Sequence, residues 1–180
     1  MERLMRPLIV VLLAITVCAA FGALHNQFSY TVSPDYFHAF KFYQFEVAEP
    51  LRNRWGASLV GVGASWWMGV PLGVILGAPT LLQPTRRGFA RATLLSIVTM
   101  LAVTMASGAL GLALASTAVE APARLEIYEG VPVQDPAAFW RAGAMHNFSY
   151  LGAAVGLLPA LFMQGLVYRS EVRRARSTSL

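Results

Sequence analysis

Four long stretches of the chain carry no Asp, Glu, Lys or Arg: Pro7 to Leu24, Ala57 to Leu82, Ala92 to Val119 and Ala144 to Tyr168. Each reaches the roughly 18 to 20 residues that a helix needs to cross about 30 Å of hydrocarbon. The pattern predicts an all-α integral membrane protein. It forms a single membrane domain over residues 1–180, with spans near 7–24, 57–82, 92–119 and 144–168, folded as an up-and-down four-helix bundle. Polar residues gather in two longer segments, 25–56 and 120–143.

Small residues recur at near four-residue spacing within the spans, which lets helices approach closely where lipid offers no hydrophobic drive to association. The stripes are Ala14, Cys18 and Gly22; Gly69, Gly73 and Gly77; Gly152, Gly156 and Ala160; and, more loosely, Gly108, Gly111 and Ala115. They suggest the first and fourth helices as neighbours. Pro71, Pro79 and Pro159 are expected to bend the second and fourth helices.

The segment after the first span begins a helix at Ser33-Pro34-Asp35, a hydroxyl cap followed by proline and an acid. Tyr36, Phe37, Phe40, Phe42, Tyr43 and Phe45 surround its axis, as in an aromatic-rich interfacial helix or a loop wedged over the bundle mouth. A strand over Phe40 to Val47 is the alternative, since Phe and polar residues partly alternate there. Asp135-Pro136 caps a helix that runs through Phe139, Trp140 and His146 into the fourth span, and Glu49-Pro50 is expected to do the same for the second. Trp55, Trp66, Trp67 and Trp140 supply interface anchors.

Composition agrees with the pattern: 56% of residues are hydrophobic and 13% charged, too few charges to coat a soluble globule. The charges decide sidedness. Arg3, Arg6, Arg86, Arg87, Arg91, Arg169, Arg173, Arg174 and Arg176 fall on one side. Lys41, Arg52, Arg54, Arg124 and Arg141 fall on the other, with Asp35, Glu46, Glu49, Glu120, Glu126, Glu129 and Asp135. Both termini are therefore expected to be cytoplasmic, in a bacterial inner membrane. The net +5 reports topology rather than affinity for nucleic acid. Uncharged spans argue against a proton relay or a secondary transporter. Thr99, Thr104, Ser107 and Ser65 are the main polar groups at depth, and they are expected to bond their own helix carbonyls.

The N-terminus also has features of a cleavable signal peptide: Arg3 and Arg6, the apolar stretch to Val17, then Cys18, Ala19 and Ala20. An uncleaved helix fits better, because the apolar run continues through Phe21 and Leu24. A lone cysteine forms no internal disulfide.

The candidate chemistry lies on the outer side, where the topology collects all three histidines. His25 opens His25-Asn26-Gln27-Phe28-Ser29-Tyr30, and His146 opens His146-Asn147-Phe148-Ser149-Tyr150. Both read His-Asn, then Ser-Tyr, at similar depth on helices that a bundle can set side by side. Three chemistries are open. Two imidazoles can ligate haem iron, or join His38 and Asp35, three residues apart, around a transition metal such as Zn, Cu or Fe. Asn26, Asn147, Tyr30 and Tyr150 would then orient the rings, while Glu46 and Glu49 lie too far along to share that ion without a bend. Ser29 or Ser149 beside a histidine suggests hydrolysis, although no glycine-flanked elbow surrounds either serine. The plain structural alternative is that these residues satisfy backbone groups and anchor the interface. No CxxC, HExxH or phosphate loop is present, and Asn147-Phe148-Ser149 lies too near the span for a good glycosylation acceptor.

The run from His25 to Phe37, with Phe40-Lys41-Phe42 and Gln44-Phe45 after it, resembles a family of small uncharacterised bacterial multi-span membrane proteins. About a fifth of the chain carries the resemblance. It implies a bacterial membrane protein and transfers no activity, cofactor or residue role.

The working expectation is an outward site at His25, His38, His146 and Asp35, possessing metal-binding chemistry. Beside the lipid bilayer as its surroundings, the rival role is a non-catalytic assembly partner of another membrane protein, or a homo-oligomer held by the glycine stripes.

Overall fold

The computed structural model describes residues 2–118 and 124–177. The predicted end of the third span at Val119 and the acid Glu120 lie outside the described residues. Among the described residues the fold is all-α apart from one small hairpin, and four helices are long and apolar enough to cross a membrane: Arg3–Val32, Arg54–Leu82, Arg86–Thr117 and Pro136–Ser177.

Helix α1 (Glu2–Val32) runs unbroken for 31 residues, about 46 Å at 1.5 Å per residue. It thus extends well past a hydrocarbon core, and His25 to Tyr30 ride on its last turns instead of leaving it at Leu24. The second span is broken. Helix α2 (Arg54–Ser65) gives way to a 3₁₀ turn at Trp66–Met68 before α3 (Gly69–Gly77), and a second 3₁₀ turn covers Ala78–Leu82. Pro71 and Pro79 cause this, since each removes a donor and crowds the carbonyl four residues earlier. Helix α4 (Arg86–Ala118) and helix α5 (Pro136–Ser177) are continuous, so Pro159 sits inside an unbroken helix. Two short strands, β1 (Glu126–Tyr128) and β2 (Val131–Pro132), pair as an antiparallel hairpin around Gly130, whose φ of 74° suits a residue without a Cβ. The sequence patterns did not anticipate this hairpin.

The stripes pack two antiparallel pairs. Gly22 meets Gly61 backbone to backbone, Gly69 and Gly73 lie on Ile15 and Val11, and Gly77 lies on Pro7, so α1 pairs with the second span. Gly108 and Gly111 face Ser149 and Phe148, while Gly152 and Gly156 face Ser107 and Val103, so α4 pairs with α5. The first and fourth helices are neighbours, as expected, but they meet through the His25–Ser149 and His146–Ser29 pairs rather than through their small-residue stripes. Their small residues are spent on the second span (α2 and α3) and on α4, respectively.

At the end of the bundle that holds both termini, buried Arg6 donates to the carbonyls of Gln83 (2.6 Å) and Thr80 (3.5 Å). Gln83 Nε2 donates to the Gln164 carbonyl (3.1 Å), and Gln164 Nε2 to that of Leu76 (2.8 Å). These side chains tie α1 and α5 to the end of the second span.

At the opposite, distal end, Ser33 Oγ accepts from the Tyr36 N–H (3.2 Å), starting the helix where the cap pattern places it. One α-turn (Pro34–Tyr36) passes into a π-turn (Phe37–Lys41) and another α-turn (Phe42–Gln44); no strand forms over Phe40 to Val47. The extra residue of the π-turn lets Phe37 and Phe42 both bury completely, with Tyr36, Val60, Phe139 and Ala142 around them. The segment is thus wedged over the bundle mouth. A second apolar cluster, around Val10, Leu76, Met100 and Ala160, lies toward the other end.

Asp135 Oδ1 accepts from the Ala138 N–H (2.9 Å), capping α5 as expected. The second span is capped by Asn53, whose Oδ1 accepts from the N–H groups of Trp55 (2.9 Å) and Gly56 (3.3 Å), rather than by Glu49-Pro50, which forms a separate 3₁₀ turn. Asn53→Ala should lower stability by about 1 kcal/mol, read as a shift of the thermal midpoint in detergent.

Candidate functional site

Four residues apart on α1, His25 and Ser29 share a face; three apart on α5, so do His146 and Ser149. Because the helices are antiparallel, the two faces meet reciprocally. His25 Nε2 and Ser149 Oγ form a hydrogen bond of 3.1 Å, and His146 Nε2 and Ser29 Oγ one of 3.0 Å. The imidazoles touch edge to face, with centroids 4.6 Å apart. The repeated His-Asn and Ser-Tyr pattern thus has a structural meaning. Two copies running in opposite directions place each histidine opposite the other helix's serine.

The surroundings are ordered. Ser29, fully buried, is within hydrogen-bond reach of the Asn26 carbonyl (3.4 Å) as well as of His146 Nε2, and the tautomer of the imidazole sets which of the His146–Ser29 pair donates. Buried Asn26 donates from Nδ2 to the Ala57 carbonyl (2.8 Å), tying α1 to α2 beside the site. Tyr36 stacks on His146 (4.9 Å) and packs against Phe139 (5.2 Å). Burial pushes the Tyr36 hydroxyl pKa up, with Tyr150 adding to the effect.

The other two predicted ligands bond elsewhere. His38 Nε2 and the Tyr30 hydroxyl form a hydrogen bond of 2.9 Å, and the ring stands edge-on to Phe42. Burial lowers the His38 pKa, opposed by the charge of Asp35 and reinforced by that of Arg52. Asp35 Oδ2 accepts from the Asp135 N–H (2.8 Å), so this carboxylate joins the wedged segment to the start of α5. Glu46, Glu49 and Asn147 are exposed. Among the described residues, no three His, Cys, Asp or Glu side chains gather as a metal shell.

A cavity opens beneath the histidines. All four spans line it, enclosing about 960 Å³ of space, part of it open to the surroundings. Its walls are mostly apolar, including Val17, Leu72, Leu76 and Met100, and its polar groups are concentrated near the distal end: His25, Asn26, His146, Ser149, Tyr150 and Lys41. The His25–Ser149 pair borders this space; Ser29 does not.

Lys41 was not singled out from the sequence as a site residue, although it is the one basic side chain within the aromatic run. It closes the π-turn. Its Nζ donates to Gln44 Oε1 (2.7 Å) and lies over the rings of Phe40 (4.4 Å) and Tyr36 (5.6 Å). Burial lowers its pKa to about 8.

Fold and site together define an all-α protein with four helices able to span a membrane and crossed imidazole–hydroxyl pairs at the mouth of an apolar cavity. Compared with protein-family models, curated proteins and solved structures, the chain shows no match to any of them. Function is therefore argued from the site.

Proposed function

We propose that this is a small bacterial inner-membrane protein, with both termini cytoplasmic, whose outward-facing site binds a membrane-soluble amphiphile. The arginine distribution supports the orientation. The observation that carries the function is the cavity itself, an apolar chamber among four spans that ends on convergent hydrogen-bonding groups, His25 and Ser149 foremost. A few placed polar groups at the end of an apolar pocket fix the head of a ligand while its body is buried.

A saturation titration with a fluorescent long-chain probe, on protein in nanodiscs, tests this. Wild type should bind one probe per chain. His25→Ala should weaken binding roughly tenfold with little change in thermal midpoint, since a hydrogen-bonding group is lost from the head site. Ala64→Phe, which fills the cavity wall, should abolish binding. Equal binding by all three would sink the proposal.

A transition metal or haem is the second reading, favoured by the contact of two imidazoles from different helices. Each ring would have to leave its serine and turn, because edge-to-face contact leaves no place for an ion between them. Elemental analysis and an absorption spectrum decide it: stoichiometric Zn, Cu or Fe, or a haem band, lost in both His25→Ala and His146→Ala, would put ligation in front. The assembly role has less to draw on, since the glycine stripes are occupied within the chain.

A further inference from the structure

A second depression adjoins the cavity on the distal surface. It is an aromatic groove walled by Tyr36, Phe40, Phe139, Trp140 and Phe148. Two residues, Lys41 and Tyr150, line both spaces. They stand at the junction of a chamber suited to an apolar chain and a groove at the level of its head.

The charge at this junction has one sign. Lys41 is the sole charged side chain lining either space, no carboxylate lines them, and among the described residues none pairs with Lys41. An ammonium has three donors. One is given to Gln44 Oε1, and the faces of Phe40 and Tyr36 take the ion's flank. A cation held on aromatic faces, short of water and without a counter-charge, is complementary to an incoming oxyanion.

We propose that the amphiphile is a single-chain lipid with a singly charged oxyanion head, its chain in the cavity and its head at the Lys41–Tyr150 junction. One chain suits a mostly apolar space between the four spans that is partly open to the surroundings. A lone lysine suits one negative charge. His25 and Ser149 line the same end of the chamber, next to the site of the head. The proposal rests on the amphiphile reading above and adds the charge of the head.

Displacement binding on the full chain in nanodiscs tests it, with palmitate, lysophosphatidylglycerol and the neutral hexadecanol as competitors. Palmitate, lysophosphatidylglycerol or both should displace the probe at least about tenfold better than hexadecanol, as expected of a charge-assisted contact. Lys41→Gln should erase that preference and leave hexadecanol unchanged, and Lys41→Arg should keep it. Preference for palmitate assigns a carboxylate head, and preference for the lysophospholipid a phosphodiester. Equal displacement by all three in wild type, or a Lys41→Gln loss shared by hexadecanol, overturns the anionic head while leaving the amphiphile site standing. No displacement by any of them, with probe binding indifferent to Ala64→Phe, removes both.

Discussion

His146→Ala should cost about 3 kcal/mol of stability, far more than His25→Ala. The ring of His146 is enclosed, with Tyr36 stacked on one side and His25 edge-on to it, and its Nε2 is the hydrogen-bond partner of the fully buried Ser29 hydroxyl. Its removal leaves a hole where an aromatic ring was packed and a buried hydroxyl without its imidazole partner, and the two penalties add. His25 borders the cavity, so its loss enlarges a space that already exists. A double-mutant cycle separates the terms. Through the 3.0 Å contact, His146→Ala and Ser29→Ala should couple by about 1 kcal/mol. Additive effects, measured as unfolding in mixed micelles, would show that the pair contributes packing alone.

Gly73→Leu is expected to disrupt the fold. A Cβ at position 73 would stand 2.6 Å from the Val11 Cα and 3.1 Å from the Ala14 Cβ, where backbone rather than a flexible side-chain tip must give way. Overpacking typically costs about 1 to 3 kcal/mol where side chains can adjust, and here α1 must move away from α3 as a unit. Since α1 carries His25 and Ser29, the crossed bonds would part as well. The expected result is loss of the monodisperse folded peak in size-exclusion chromatography, together with loss of probe binding. Gly165→Leu is the matched control: nothing lies within 4 Å of a Cβ there, so that variant should behave as wild type. Normal behaviour of Gly73→Leu would mean that α1 and the second span are not packed as described.

The contrast between glycines shows what spacing alone conveys. Gly69, Gly73 and Gly77 formed a visible stripe, and close approach was its correct meaning, because any helix bearing it presents a smooth face. Its partner was not legible. Several spans carried comparable stripes, and choosing among them depends on side-chain fit across two surfaces at once. The site divides likewise. His25 and His146 were legible as a pair through their repeated neighbours, whereas His38 had only its distance from Asp35 to recommend it. The π-turn then places His38 on Tyr30, and the start of α5 captures Asp35.

By itself, the sequence determined the four apolar helices, the caps at Ser33 and Asp135 and the gathering of imidazoles toward one end. These follow from sums over neighbouring residues: apolar length, a proline that lacks its donor, and a side-chain oxygen beside free N–H groups. Only the tertiary structure decided which serine each histidine meets, that α1 pairs with the second span, and that Lys41 and Tyr150 stand between chamber and groove. Those are contacts between residues far apart in the chain, selected by how whole helices fit together, and no local pattern contains that choice.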